Sequence, residues 1–170
     1  RLRRARAAYS SRMDEDFLRR HVLELLRGGH AHATHEQALA DFPVDRVNDR
    51  PPGVPYSAWQ VLEHMRIAQR DILDFTRDPS YREPRWPDDY WPPEDETADE
   101  RRWQESLEGF RRDYQAVLDL AADPATDYAH AIPWGNGQTM LREFLLVADH
   151  NAYHVGELVL LRRALGIWKS

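Results

Sequence analysis

The stretch TMLREFLLVADHNAYHVGELVLLRRAL, residues 139–165, decides the fold, because it predicts one long helix that ends before Gly166. Its two histidines, His150 and His154, are four residues apart, so both imidazoles lie on one face of that helix. Two histidines with this spacing can bind one metal ion. Asn151 stands where HExxH metalloproteases have their glutamate, which excludes a protease of that type.

The remaining sequence predicts three more long helices and a short one. Ser57 is a good N-cap, and Thr34 with Gln37 and Thr97 with Glu100 form capping-box patterns. No stretch alternates with period two, so we expect no sheet. Amphipathic helices that share an apolar face pack as a bundle. The prediction is an all-α four-helix bundle with one short extra helix and long loops, the helices lying at residues 11–27, 34–41, 57–76, 97–122 and 139–165.

Composition limits the class of protein. A chain of 170 residues suits a single domain over residues 1–170, with residues 1–10 as a fraying basic terminus. The net charge of -6, without a basic stripe, argues against nucleic-acid binding. No apolar run of about 18 residues predicts a membrane span. The arginine-rich start is not followed by an apolar segment, so we expect no secretory signal and a cytoplasmic location. With no cysteine in the sequence, thiolate metal sites and a cysteine nucleophile are excluded.

His64 is the third candidate ligand. It lies at the edge of the apolar stripe that Val61, Met65 and Ala68 form on the second long helix. A buried imidazole needs a partner, and a metal ion shared with His150 and His154 would supply one. Three neutral imidazoles leave one coordination position open, which is the catalytic rather than the structural pattern for zinc. The spacing equally allows a hydrogen-bonded core histidine beside an exposed pair.

The sequence resembles the DinB-like superfamily, also called the DinB/YfiT-like metalloenzymes. The resemblance depends on LEH at 62–64, DH at 149–150 and HVG at 154–156, and residues 55–59, 66–77, 90–92 and 160–168 also fit. It implies an up-down-down-up bundle and a divalent metal, zinc or nickel, on His64, His150 and His154. Relatives include S-transferases that use bacillithiol or mycothiol and a mycothiol-dependent maleylpyruvate isomerase, and they often form homodimers.

Other side chains are candidates for roles around the metal. Glu157 follows His154 by three residues, so it is a candidate fourth ligand, hydrogen-bond acceptor or general base. Gln60 and Asp71 flank His64 by one and two turns, where either can orient an imidazole or touch a ligand.

The other histidines give weaker signals. His21 lies on the predicted apolar stripe of the first helix and is interpreted as a core histidine, with the metal cavity as the alternative. The other residues of that stripe are Met13, Phe17, Leu18, Val22 and Leu25. A second group resembles a metal patch, but its irregular spacing favours a solvated loop: His30, His32 and His35. His130 has no evident partner.

Four aromatic residues lie on the long loops: Trp86, Tyr90, Trp91 and Trp134. If these loops cover the metal end of the bundle, the rings form an apolar mouth for a substrate. The alternative, which we favour slightly, is that they seal the end of the bundle as loop core.

Three functions fit these observations. The first is a metal-dependent S-transferase whose ion activates an external low-molecular-weight thiol for attack on a small-molecule substrate. The second is a metal-dependent hydrolase using a metal-bound water, with Glu157 as base. The third is a non-catalytic module that binds a metal or a small molecule. Three imidazoles suit zinc, nickel, iron and copper alike, so the sequence does not identify the metal.

Overall fold

The computed structural model describes residues 2–169, and the side chains of residues 15–169. The helices are α1 Leu2–Arg27, α2 His35–Leu39, α3 Ala58–Arg77, α4 Glu100–Ala122 and α5 Met140–Ala164. The all-α prediction is confirmed, since the extended pairing in the described part is one isolated bridge between Ala131 and Thr139. Among residues 2–169, no helix is both long enough and apolar enough to cross a bilayer.

Side-chain hydrogen bonds give the directions of the helices. α1 and α4 are antiparallel, because Arg19, more than one turn before Leu26 in α1, donates to Ala121 late in α4, at 2.7 Å. Tyr114, earlier in α4, donates in turn to the carbonyl of Leu26 near the end of α1, at 2.9 Å.

α3 and α4 run parallel. Trp59 donates to Ser106 at 3.2 Å in the first half of both helices, and Arg70 lies 3.5 Å from Asp113 further along both. With α3 parallel to α4 and both antiparallel to α1, two consecutive long helices point the same way.

α5 runs antiparallel to α3, which completes the chain order. The His64 ring lies beside that of His154, whereas Gln69, further along α3, accepts from Asn151, earlier in α5. The long helices therefore run up, down, down and up, as the resemblance implied.

Two hydrophobic clusters fill the bundle. One contains Leu62 and Met65 of α3 and Leu158 of α5, and the other contains Leu73 and Phe144 of the same two helices. Along both helices a polar layer separates the clusters, because buried Gln69 and Asn151 hydrogen-bond to each other there. His64 and His154 lie on the side of this layer toward the first cluster, and His150 directly precedes Asn151 of the layer itself.

Helix capping follows the sequence at two of three predicted capping residues. Ser57 and Gln60 form a capping box that starts α3, and Thr34 and Gln37 form the one that starts α2. At α4 the capping-box prediction is wrong, because Asp99 is the N-cap and accepts from the amide of Arg102. Aspartate caps a helix at least as well as threonine does, and here it begins α4 later than the predicted residue 97.

The inner face of α1 differs from the predicted one. The helix begins at Leu2, earlier than residue 11, and among residues 15–27 the buried ones are Val22, which belongs to the predicted stripe, and Leu26, which does not. Phe17 and Leu25 of the predicted stripe are 58% and 54% exposed. The expected fraying of residues 1–10 lies outside the described side chains and stays a prediction.

Candidate metal centre

Three imidazoles from two helices converge at one point. His64 of α3 and His154 of α5 are buried, and His150 lies one turn before His154, half-buried. One ligand nitrogen from each ring lies within 4.8 Å of the other two. The Nε2 atoms of His64 and His150 are 3.0 Å apart. The predicted convergence of two distant stretches of the chain is therefore present.

The loop after α3 fixes the ring of His64. Its Nδ1 lies 2.8 Å from the carbonyl oxygen of Tyr90. A carbonyl only accepts, so Nδ1 carries the proton and Nε2 keeps a lone pair. Trp91 stacks on the same imidazole at 3.8 Å between ring centroids and 2° between planes, and Tyr56 stacks on Trp91 at 4.0 Å. The rotation and the tautomer of His64 are thus both set by neighbours.

Glu157 does the equivalent for His154. Its Oε2 lies 2.6 Å from Nδ1 of His154, so the carboxylate accepts the Nδ1 proton and Nε2 is left to bind a metal. Of the three roles that the sequence left open for Glu157, this geometry favours the acceptor.

Burial keeps the imidazoles of His64 and His150 neutral. It lowers the pKa of His64 to about 4, against the smaller raising effect of the Tyr90 carbonyl. It also lowers the pKa of His150 to about 3, helped by repulsion from His154 and His64. Neutral imidazole is the form that binds metal. The Nε2 lone pairs of His64 and His154, together with a third nitrogen in reach, make a donor set that fits one divalent ion.

Gln60 and Asp71 act through the loop rather than on an imidazole. Gln60 donates to the carbonyl of Glu94 at 3.1 Å, and Asp71 accepts from the hydroxyls of Tyr81 and Tyr90 at 2.7 Å each. They tie residues 81–94 to α3, which keeps the Tyr90 carbonyl beside His64.

A cavity of about 600 Å³ adjoins the metal centre, and His150 lines it. Three of the four singled-out loop aromatics also line it, namely Trp86, Tyr90 and Trp134. The loops therefore cover the metal end, and the sealing role that we had favoured is wrong for Trp86, which is 71% exposed. Trp91 lies against His64 instead.

The remaining histidines lie apart from the centre. His21 is 48% exposed and bonds Glu24, so neither the core nor the cavity interpretation holds. His35 is buried against Phe110 and Tyr114, contrary to the solvated-loop prediction, because it opens α2 rather than lying in a loop. Three further histidines are exposed: His30, His32 and His130. Within the described side chains, the one group of metal-ligand type is the three-histidine cluster.

Some residues around the centre were not found from the sequence. Tyr56 stacks on Trp91, and the hydroxyl of Tyr81 donates to Asp71. Neither tyrosine lies in a sequence motif that would indicate this contact. Glu63, next to His64, is buried and accepts from Arg66 at 2.7 Å and Ser106 at 2.8 Å. The i, i+3 spacing of Glu63 and Arg66 was an available signal for this pair.

Comparison with known proteins supports this description. A family model described as the DinB superfamily matches residues 29–158, a range that contains α2, α3, α4 and all three histidines. No curated protein and no solved structure gave a match.

Proposed function

The chain belongs to the DinB superfamily, and we propose that it is a metal-dependent enzyme in which His64, His150 and His154 hold one divalent ion. The observation that carries this proposal is the approach of three imidazole nitrogens within 4.8 Å beside a cavity of about 600 Å³. A closed structural site needs no such cavity, whereas an enzyme must admit a substrate to the metal.

The protein's own residues prepare the ligands. The Tyr90 carbonyl and the Glu157 carboxylate hold the Nδ1 protons of His64 and His154, which leaves Nε2 of each ring unprotonated. Burial keeps the rings of His64 and His150 neutral. When bound, a divalent ion supplies Lewis acidity and lowers the pKa of a ligand in its open position. His150, which lines the cavity as well, links the metal centre to the substrate space.

Transfer of an external thiol is the first candidate reaction, with zinc or nickel as the ion. The chain has no cysteine, so the sulfur must come from a low-molecular-weight thiol. With a chlorinated aromatic acceptor, a carbon–sulfur bond forms, chloride leaves with the bonding electron pair, and the thiol proton passes to solvent. No oxidant or reductant is required.

The test combines metal content with turnover. Untagged wild-type protein, His150→Ala and the exposed-histidine control His130→Ala are analysed for bound metal by mass spectrometry. The three proteins are then assayed for conjugation of several thiols to 1-chloro-2,4-dinitrobenzene. We expect one metal per chain and turnover in the wild type and the control, and loss of both in His150→Ala.

Other outcomes would replace the proposal. Conjugation at equal rates in wild type and His150→Ala would rule out a metal-dependent transferase. Hydrolysis of ester probes without thiol, lost in His150→Ala, would make the protein a hydrolase. A fully loaded protein that is inactive in both assays would be a metal-binding module.

A further inference from the structure

The carboxylates that are buried in the described part of the protein share one feature. Each has an arginine nitrogen within 3.1 Å: Glu63–Arg66 at 2.7 Å, Asp113–Arg112 at 3.1 Å and Glu143–Arg142 at 2.7 Å. A buried negative charge is costly without such a partner, and the fold supplies one in each case.

Asp71 is different. It is half-buried and accepts from two phenol hydroxyls, Tyr81 and Tyr90, but no arginine, lysine or histidine among the described side chains lies within ion-pair distance of it. The charged neighbours that act on it, Glu83 and Asp74, are both acidic. Burial raises its pKa, against the lowering effect of the two tyrosine hydrogen bonds, and the acidic neighbours raise it further.

This carboxylate faces the cavity beside the metal centre. Asp71 lines that cavity with a group of aromatic rings, namely Phe75, Tyr81, Trp86, Tyr90 and Trp134. Neighbouring rings lie in edge contact, Phe75 with Tyr81 and Trp86 with Tyr90, each at 5.2 Å between centroids. Aromatic walls around a carboxylate are the environment in which proteins bind ammonium groups, by cation–π attraction together with charge.

The cationic side chains of the cavity do not offset Asp71. Arg142 lies on Glu143 at 2.7 Å, and Arg82 donates to the carbonyls of Ser80 and Tyr81. Glu83 adds another acidic group, so the lining has three carboxylates, Asp71, Glu83 and Glu143, against two arginines, Arg82 and Arg142. The cavity therefore carries a net negative charge.

We infer that this cavity binds an organic cation, a protonated or quaternary amine attached to an apolar body. The ammonium group lies against Asp71 and the aromatic rings, and the rest of the molecule extends toward His150. That this cation is the substrate of the enzyme rests on the proposed function, but its binding to the cavity needs no metal. The volume of about 600 Å³ suits a ligand of small-molecule size.

The test measures charge selectivity on one molecular shape. Benzyltrimethylammonium, benzyl alcohol and benzoate are titrated by calorimetry into wild-type protein, with and without its metal. We expect the cation to bind at least about tenfold more tightly than the alcohol, in both forms of the protein. Equal affinities for the three probes, or a preference for benzoate at Arg142, would overturn the inference.

Variants locate the site. Asp71→Asn keeps the shape and removes the charge, and we expect it to weaken cation binding about tenfold. The control Asp88→Asn removes the same charge from an exposed position that does not line the cavity, and its affinity should equal that of wild type. Trp86→Ala gives a second test that does not depend on the folding of Asp71→Asn, since Trp86 is 71% exposed. Unchanged cation affinity in Trp86→Ala or in folded Asp71→Asn contradicts the inference.

Failure of this inference can be told from failure of the proposed function. A protein that holds one metal per chain and turns over a thiol, yet binds no cation, refutes the cation site alone. A protein that binds the cation but takes up no metal refutes the enzyme proposal and leaves the cavity as a binding site.

Discussion

Two sides of α3 carry polar residues in different ways. Toward α4, Glu63 is bonded by Arg66 and Ser106, and Gln69 donates to the carbonyl of Phe110, so these polar groups find partners within the protein. Toward α5 and the loop, Nδ1 of His64 donates to the Tyr90 carbonyl, its Nε2 has only the Nε2 of His150 beside it at 3.0 Å, and Asp71 has no cation. The polar groups on the first side contribute to stability, whereas the lone pair and the charge on the second side are available to a ligand.

Removing a metal ligand should have the largest effect on metal binding. If the variant lost its fold instead, the two sides of α3 would not differ in the way described. His64→Ala is expected to abolish metal binding while far-ultraviolet circular dichroism stays helical, because the ring serves the site rather than the core. Calorimetric titration with zinc measures the first and the spectrum the second. Unfolded His64→Ala would mean that both sides of α3 are structural.

Glu63→Ala should have the opposite pattern. It leaves the half-buried Arg66 and the buried Ser106 without their acceptor, which we expect to cost about 3 kcal/mol of the free energy of unfolding. Urea denaturation measures this loss. Zinc stoichiometry should remain that of the wild type, and a loss of zinc binding from the folded variant would erase the distinction between the two sides.

Glu157→Ala tests the orienting contact on α5. Without the carboxylate at 2.6 Å, the His154 ring loses its fixed tautomer, and metal affinity should fall about 10- to 100-fold. Glu157→Gln, which keeps an acceptor oxygen, should fall less. If both variants bind zinc as the wild type does, Glu157 does not orient the ligand.

Trp91→Ala should have the smallest effect. Loss of the ring stacked at 3.8 Å on His64 frees the rotation of that imidazole, and we expect metal affinity to fall about fivefold. Zinc titration measures the change, and Trp86→Ala serves as the control because Trp86 touches the cavity but not His64. Equal affinities in the two variants would assign the stack a role in packing only.

The sequence predicts the parts of this molecule that depend on local spacing. The helix of residues 139–165 is found by its composition, and the shared face of His150 and His154 follows from a separation of four residues. The position of His64 at the edge of an apolar stripe indicated that it faces a neighbouring helix, whereas its place with that pair was implied by the resemblance to the DinB-like superfamily. These features depend on the types of residue and their spacing, so a single sequence is enough to predict them.

What the sequence missed depends on tertiary contacts. On the inner face of α1, Val22 and Leu26 are buried and Arg19 donates to carbonyls at the end of α4, whereas the apolar Phe17 is exposed. The group that fixes His64 is the main-chain carbonyl of Tyr90, and any residue there would present one. The uncompensated charge of Asp71 appears only when all of its neighbours are known.

The parallel course of α3 and α4 has a consequence for the length of the chain between them. α3 has 20 residues and is about 30 Å long, so a chain that leaves its end must travel back over that distance before α4 can begin alongside. The returning segment passes the metal centre, which is how Tyr90 and Trp91 come to lie on His64. In a bundle of alternating helices a short hairpin would suffice, and the site would stand uncovered. Shortening this crossover to make a smaller protein would therefore also remove Tyr90 and Trp91, the residues that hold the His64 ring in place.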